Sequence, residues 1–187
     1  LNKGIDLSSS DLIARLDADD YSMPQMLEKQ VTFMEKHPDI VLCGSRWLEL
    51  VGEKLSKQIV AFVETDQAIK KSMSLFNPFS HSAVIFRKKT FITAGGYSER
   101  FKYSQDYELW LRMLAFGKTL ILKEELAVVR MSEQSESHKN ARKQKLEALQ
   151  IRWDAFQQFG GNPGQALYYF FKTLMGLISP SKGNLNR

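Results

Sequence analysis

Short apolar segments alternate with segments of helical periodicity along this chain, and this alternation limits the fold more than any other feature of the sequence. Residues 12–16, 39–45 and 82–86 are apolar runs of strand length, and helical spacing follows the first and the third of them. Strands that alternate with helices are typical of an α/β domain. We therefore predict an α/β fold with a mostly parallel sheet flanked by helices.

Turn residues and helix caps predict the remaining elements. Further strands are expected at residues 46–51, 58–63, 119–122 and 126–130. Ser22 opens a capping box and is the candidate N-cap of a helix that ends at His37. Ser104 is the candidate N-cap of a helix over residues 105–116. Other helices are expected at residues 66–73, with Thr65 or Asp66 as the cap, at 88–94 before a Gly-Gly pair, in a long segment that ends near Gly160, and from Pro163 to just before Pro180. A turn is expected at Gly52.

The composition excludes several classes of protein. The 187 residues are 43% hydrophobic and 25% charged, which fits one globular domain or a piece of a larger one. A net charge of +5 is too weak and too scattered to indicate a nucleic-acid partner. No apolar run reaches the ~18 residues that span a bilayer. The first residues, from Leu1 onwards, have no helix cap and resemble the interior of a longer protein, so we expect that an N-terminal part is absent.

Asp17, Asp19 and Asp20 form the first candidate site, at the end of the strand over residues 12–16. In open α/β sheets, ligands bind beyond the carboxyl ends of strands. Three carboxylates this close repel one another, so water or a cation must compensate their charge. Oxygen ligands suit Mg²⁺ or Mn²⁺, which keep open positions for substrate phosphates. A solvated acidic turn that only caps the next helix is the alternative, and the pattern alone leaves both open.

Asp106 is the second candidate, in the first turn of the helix over residues 105–116. The helix dipole and the unpaired N–H groups favour a carboxylate there, which by itself explains an Asp. The functional alternative is a general base, beside a Gly-Gly-Tyr turn that lets a substrate approach the backbone. Trp110, one turn further, is either a core residue or a ring that stacks on a sugar.

Six segments, in this order and spacing, resemble the family 2 glycosyltransferases of type A fold. They fall between residues 1 and 130 and read LNKGI from Leu1, IARLDADD from Ile13, LEKQV from Leu27, HSAVIFR from His81, GGY from Gly95 and QDYELWLR from Gln105. Each motif is short, and the series is specific because of its order. Two positions depart from the family pattern, since members usually have Glu at Gln105 and many have His at Ser132.

The resemblance implies a nucleotide-diphospho-sugar donor, most readily a UDP-sugar, in the N-terminal half and a saccharide or lipid-linked acceptor in the C-terminal half. It implies a partial catalytic domain over residues 1–131, without its first nucleotide-binding strands, and a C-terminal helical extension over residues 132–187. The implied activity is inverting, metal-dependent hexosyl transfer in polysaccharide, lipopolysaccharide or glycolipid synthesis. The implied location is the cytoplasm, with peripheral contact at the inner face of the membrane.

The resemblance also assigns roles to individual residues. Asp106 matches the catalytic base. Asp19 or Asp20, with Asp17 beside them, matches the site for Mg²⁺ or Mn²⁺. The residues expected on the donor side are Asp17, Asp19, Arg15, Asn2 and Lys3. The residues expected on the acceptor side are Gly95, Gly96, Tyr97, Trp110 and His81, the last near the floor of the site.

Two other functions stay open at this point. A metal-dependent nucleotidyltransferase also uses an Asp-X-Asp turn, but it has no use for the order of the later motifs. A non-catalytic carbohydrate-binding or partner-binding fragment fits a chain that lacks an N-terminal part. The C-terminal region is equally open: its basic residues form a solvated helix face or attract an anionic membrane, and residues 166–178 pack on the domain, lie in the membrane interface or cover another surface. Those basic residues are Lys139, Arg142, Lys143 and Lys145.

Overall fold

The computed structural model of the chain describes residues 1–57, 63–132 and 139–178. The helices are α1 (Asn2–Leu7), α2 (Met26–Lys36), α3 (Asp66–Ser72), α4 (Lys88–Thr93), α5 (Gln105–Met113), α6 (Ala141–Phe159) and α7 (Pro163–Ile178). The strands are β1 (Leu12–Ala14), β2 (Tyr21–Ser22), β3 (Ile40–Val51), β4 (Lys54–Lys57), β5 (Val84–Arg87) and β6 (Lys118–Met131). A 3₁₀ turn, His81–Ala83, precedes β5.

One mixed sheet, flanked by helices, contains all the described strands, which confirms the α/β fold class. The strand order is β1-β5-β3-β6-β2, and β4 pairs with the far end of β3. Only the β3–β6 pair is parallel, so the expectation of a mostly parallel sheet is wrong for the described strands. A helix between two strands favours parallel pairing when those strands are neighbours, but β6 separates the two strands that α2 connects.

Two pairs of predicted strands are single strands in the structure. Residues 39–45 and 46–51 fall within β3, and residues 119–122 and 126–130 fall within β6. The register between them jumps from Ser45–Leu122 to Arg46–Glu125, so β6 has two extra residues at this irregularity. The charged residues there interrupted the apolar pattern without ending the strand. The strand predicted at 58–63 lies almost wholly outside the described residues.

The helix predictions are mostly confirmed, with an error at the cap predicted for α2. Thr65 caps α3, because its hydroxyl oxygen accepts a hydrogen bond from the Ala68 N–H over 3.2 Å. The capping box at Ser22 is wrong: Ser22 lies in β2, and α2 begins at Met26. The N–H of Met23 donates to the carbonyl of Leu126, so the chain stays bound to β6 past the predicted cap.

The main core lies between the sheet and the helices α3, α4, α5 and α6. Its largest buried side chain is Trp110, which contacts the rings of Phe79 and Phe86. Helix α6 contributes Ile151 and Ala155 to the same core, so the first helix of the predicted C-terminal extension packs directly on the sheet domain. This packing brings α6 next to the N-terminus of α5, where Asp106 lies.

Candidate active site

The acidic turn after β1 is tied to the start of β5 through one buried serine. The N–H of Asp17 donates to Oγ of Ser82 over 3.0 Å, and that hydroxyl lies 2.5 Å from Oδ2 of Asp20. Oδ2 of Asp17 is 3.3 Å from the same hydroxyl. Ser82 thus holds the first and last residues of the turn together.

The C-terminal part of β6 holds the other side of this turn. The N–H of Arg130 donates to Oδ1 of Asp20 over 2.8 Å, and its side chain reaches the carbonyl of Asp19 and the hydroxyl of Tyr21. Burial raises the pKa of Asp20, while its hydrogen bonds from Ser82 and Arg130 act in the opposite direction. Asp20 is therefore a fixed carboxylate whose charge is partly deprived of solvent.

The three aspartates of the turn differ in what they have free to offer a ligand. Asp17 forms an ion pair with Arg15 at 2.5 Å, and Asp20 is bound on both of its oxygens. Asp19 is exposed, and no side chain in the described ranges engages its carboxylate. Asp19 is consequently the oxygen ligand most open to a cation.

This donor set fits a divalent cation that is shared with a substrate. Within residues 1–57, 63–132 and 139–178, no group of three or more His, Cys, Asp or Glu side chains is arranged to hold a metal ion. Mg²⁺ usually takes only one or two protein carboxylates and completes its shell with water and substrate phosphates. The carboxylates of Asp19 and Asp20 match that requirement. They are too few for a structural metal site that is made of protein ligands alone.

Asp106 lies where the sequence predicted it, in the first turn of α5. Its side chain is half-buried, and its Oδ2 accepts a hydrogen bond from Nδ2 of Asn77 over 3.0 Å. Oδ1 has no partner among the described residues. One oxygen of Asp106 is therefore fixed, and the other is available to a substrate hydroxyl.

His81 is close enough to both acidic positions for their charges to affect its pKa. Its Nε2 is 2.7 Å from the hydroxyl of Tyr97. Burial lowers the pKa of His81, Arg15 lowers it further, and the carboxylates of Asp106 and Asp17 act in the opposite direction. The charges of Asp106 and Asp17 both act on His81, and its expected place at the floor of the site stays a prediction.

The Gly-Gly-Tyr turn is held from two directions. Gly95 and Gly96 have φ values of +85° and +68°, which favour glycine. Arg112 donates to the carbonyls of Gly96 and Ala94 while its guanidinium pairs with Glu108 on the preceding turn of α5. The turn that leads to Tyr97 is thereby fixed to the helix that carries Asp106.

Asn2 and Lys3, which are both expected on the donor side, differ in their surroundings. Both polar atoms of the Asn2 amide bind the backbone of Tyr97, at 2.9 and 3.0 Å, so Asn2 holds the Gly-Gly-Tyr turn. Lys3 is exposed and makes no described contact. A cleft of about 420 Å³ opens beside Arg15 and Tyr97, between α1 and β1.

Trp110 is a core residue, which corrects its expected place on the acceptor side. Its side chain is 0% exposed, with the ring of His81 at 6.0 Å and the rings of Phe79 and Phe86 around it. A ring with no exposed face cannot stack on a sugar in this arrangement. Its indole Nε1 is buried without a hydrogen-bond partner in the described structure.

Sequence reasoning missed four residues that shape the site. They are Asn77, Ser82, Arg130 and Glu147, the last of which accepts hydrogen bonds from the backbone N–H groups of residues 102–104, just before α5. Ser82 carried a weak signal, because this polar residue stands just before an apolar strand. Asn77 carried none, because it lies in the loop between α3 and that strand. Arg130 and Glu147 carried none, because their contacts join segments that are distant in sequence.

The fold is similar to that of a protein of known structure. The structure resembles the crystal structure of residues 1–349 of TarS from S. aureus with a TM-score of 0.62 and 11% identity, over 94% of this chain and 50% of that one. The longer TarS structure gives a TM-score of 0.60 and 12% identity. At this identity the match shows a shared fold alone.

The family follows from the sequence comparison. The family described as "Glycosyltransferase like family 2" matches residues 1–143, and the chain belongs to this family. The membership confirms the resemblance to family 2 glycosyltransferases.

Three curated relatives illustrate the match. The amylovoran biosynthesis glycosyltransferase AmsE of Erwinia amylovora is 36% identical over 117 residues, 63% of this chain and 43% of its own length. A UDP-Gal:alpha-D-GlcNAc-diphosphoundecaprenol beta-1,3-galactosyltransferase of Escherichia coli is 34% identical over 63% of this chain and 42% of its own length. An uncharacterized glycosyltransferase of Methanocaldococcus jannaschii is 30% identical over 92% of this chain and 59% of its own length. The chain thus spans about two-fifths to three-fifths of these relatives.

No helix in the described part of the chain combines the length and the apolar character that crossing a membrane requires.

Proposed function

We propose that this chain carries the catalytic base and the cation ligands of an inverting glycosyltransferase. The donor is a nucleotide-diphospho-sugar, with a UDP-sugar as our first choice, and the acceptor is a hydroxyl of a saccharide or of a lipid-linked saccharide. The observation that carries the proposal is the pairing of a fixed acidic turn, Asp17 to Asp20, with a half-buried Asp106, both within the electrostatic reach of His81. The names of two relatives, which give amylovoran biosynthesis and O-antigen biosynthesis, favour a role in cell-envelope polysaccharide synthesis.

In this mechanism the two acidic positions have separate tasks. Asp19 and Asp20 would hold Mg²⁺ or Mn²⁺, which would supply charge neutralisation for the leaving diphosphate. Oδ1 of Asp106 accepts the proton of the acceptor hydroxyl, and the hydroxyl oxygen bonds to the anomeric carbon. At the same time, the bond between the anomeric carbon and the β-phosphate oxygen breaks. A single displacement inverts the anomeric configuration and needs no covalent enzyme intermediate. A positioned base of this kind contributes about 10²–10⁴-fold.

The test is a measurement of sugar transfer by the full-length protein with a panel of UDP-sugars. We expect nucleoside diphosphate release that depends on an added acceptor and on Mg²⁺ or Mn²⁺ and that stops with a chelator. Asp106→Asn should lower kcat by about 10²–10⁴-fold and leave donor affinity nearly unchanged, because the base acts on the acceptor. Glu99→Gln is the matched control, since it removes an exposed carboxylate between the Gly-Gly-Tyr turn and α5.

Three outcomes contradict the proposal. Normal kcat in Asp106→Asn with a lowered melting temperature assigns this residue to the helix start alone. Binding of a saccharide without any transfer by the wild-type protein favours the non-catalytic alternative. Nucleotide transfer to a sugar phosphate favours a nucleotidyltransferase, an activity that the family membership does not support.

Peripheral membrane contact on the cytoplasmic side is a further part of the proposal. Leu167, Phe171 and Met175 follow one another at intervals of four residues on α7 and are 58%, 53% and 61% exposed. Residues 139–178 contain six basic and two acidic side chains, which suits an anionic surface beside an apolar one. One predicted basic residue, Lys145, is engaged internally, because its Nζ donates to the carbonyl of Gly176.

Vesicle sedimentation tests this contact. We expect binding to phosphatidylglycerol vesicles, weaker binding to phosphatidylcholine vesicles, and loss of both in Phe171→Glu. Leu55→Glu is the matched control, because Leu55 on β4 is equally exposed at 53% and lies on another element. Equal loss in both variants contradicts a specific role of α7.

A further inference from the structure

Glu147 on α6 binds three successive backbone N–H groups in the segment that precedes α5. Its Oε1 accepts from Lys102 at 3.1 Å, and its Oε2 accepts from Tyr103 at 2.9 Å and from Ser104 at 2.8 Å. A carboxylate that accepts several backbone N–H groups forms charge-assisted hydrogen bonds, which are shorter and stronger than neutral ones. This single side chain therefore fixes the path of residues 102–104.

Gln144, one turn earlier on α6, also binds this segment, through its side-chain amide and its backbone carbonyl. Its Nε2 donates to the carbonyl of Tyr103 over 3.1 Å, and its backbone carbonyl accepts from Oγ of Ser104 over 3.3 Å. Ser104 stands at the N-cap position of α5 but makes no side-chain cap hydrogen bond to that helix. The role predicted for Ser104 as a side-chain cap is thus replaced by its attachment to α6.

The fixed segment leads directly into the turn that carries the candidate base. Ser104 is the N-cap residue of α5, and Asp106 is the second residue of that helix. The only other described contact that orients the Asp106 carboxylate is the hydrogen bond from Asn77. A shift of residues 102–104 would therefore move the backbone of Asp106 relative to its Asn77 partner.

We propose that Glu147 is a positioning residue, which holds Asp106 in register with the substrate through the segment of residues 102–104. The proposal rests on the proposed function of Asp106. The family matches residues 1–143, and Glu147 lies beyond them. Its contact with residues 102–104 therefore comes from outside the matched region. Glu147 itself does not touch the substrate in this proposal.

A positioning role predicts a loss in kcat with little change in donor binding. A misplacement of about 1 Å in a catalytic group costs about 10²-fold in rate. The donor, by contrast, is bound at the acidic turn, which Ser82 and Arg130 hold and which α6 does not contact through these residues. Donor affinity should therefore be insensitive to Glu147.

The two replacements at this position should be graded. Glu147→Gln keeps an oxygen that can accept from Tyr103 and Ser104, but it turns an NH₂ group towards the N–H of Lys102. Glu147→Ala removes all three acceptors. We expect a kcat loss of about tenfold for the first and about 10²-fold for the second. The matched controls are Asp154→Asn and Asp154→Ala, because Asp154 is an acidic residue of α6 with no partner among the described residues.

The measurements are kcat, donor KM, donor affinity by calorimetry and melting temperature, all on the full-length protein well below its melting point. The expected result is a graded fall in kcat with unchanged donor affinity and KM in the Glu147 variants, and normal values in the Asp154 variants. Folded Glu147 variants with normal kcat overturn the proposal, even if their melting temperature falls. If Glu147→Ala does not fold, Glu147→Gln alone decides in the same way.

The outcome separates this inference from the proposed function. If Asp106→Asn is inactive and the Glu147 variants are fully active, only the positioning role fails. If Asp106→Asn retains normal kcat, the proposed base fails, and the positioning role of Glu147 is overturned with it.

Discussion

The side-chain amide of Asn77 donates a hydrogen bond to Oδ2 of Asp106 over 3.0 Å, while its own Oδ1 accepts from the N–H of Phe79 over 3.2 Å. Asn77 therefore links the loop after α3 to the first turn of α5. It is a donor to the carboxylate on one side and an acceptor on the other. Because of these two contacts, we expect Asn77→Asp and Asn77→Ala to affect catalysis to different extents.

Asn77→Asp should impair catalysis more than Asn77→Ala. The Asp keeps the acceptor for Phe79 but places a second negative charge beside Asp106, and like charges at this distance repel. We expect kcat to fall about tenfold in Asn77→Ala, from the loss of one hydrogen bond, and further in Asn77→Asp. If the bond to Phe79 is what matters, Asp retains it and the order reverses, which steady-state kinetics on the two variants will show.

Ser82→Ala should weaken metal-dependent nucleotide binding without unfolding the protein. The change removes the hydroxyl that contacts both ends of the acidic turn, so Asp20 loses a partner and the turn loses its tie to β5. We expect about a tenfold loss in affinity for UDP with Mn²⁺, from the loss of this buried hydrogen bond. Calorimetric titration measures it.

Ser72→Ala is the control for this prediction. Ser72 is also buried, but its hydroxyl donates only to the Ile69 carbonyl within α3. The two variants should have similar melting temperatures, and only Ser82→Ala should lose nucleotide affinity. Equal nucleotide affinity in both variants contradicts a role of Ser82 at the donor site.

Local sequence signals predicted the local features of the fold. Thr65 caps α3, Gly52 turns the β3–β4 hairpin with φ +60°, and the Gly-Gly pair ends α4, each as expected. In these cases the residue that carries the signal also makes the contact or adopts the required φ. Such information is present within a few residues of the chain.

The features that the sequence did not predict depend on distant segments. The hydroxyl of Ser82 meets Asp20 across 62 positions, and Glu147 meets Ser104 across 43. Strand pairing has the same origin, because the pattern of one strand does not identify its neighbour. The resemblance to known glycosyltransferases indicated Asp106 and the acidic turn, but not the side chains that hold them.

Gly96→Ala should destabilise the protein more than Gly95→Ala. Both glycines have positive φ, which costs an alanine about 1–2 kcal/mol. At Gly96 the added Cβ would also lie 3.1 Å from Oδ1 of Asn2 and 3.2 Å from Cζ of Phe91, whereas at Gly95 the closest atom is 3.7 Å away. Chemical denaturation of the two variants measures the difference, and equal stabilities would show that the Asn2 side chain gives way without cost.

Cys43 should make the folded protein sensitive to alkaline pH. Burial in the β3 core raises the pKa of this thiol from 9.0 to about 12. Between these values the unfolded chain releases the thiol proton and the folded chain keeps it. The unfolded state therefore binds fewer protons, and the free energy of unfolding falls as the pH rises, by about 1.4 kcal/mol per pH unit from this residue.

The comparison of wild type with Cys43→Ala isolates the contribution of the thiol to stability. Burial also raises the pKa of two tyrosines, but both proteins contain them. Between pH 9 and pH 11 the wild type should lose stability more steeply than the variant in urea unfolding experiments. The same burial predicts that a thiol reagent at pH 8 labels Cys43 only in denaturant, since the reactive species is the thiolate. Rapid labelling of the native protein, or parallel stability curves for the two proteins, would show that Cys43 is accessible in the folded state.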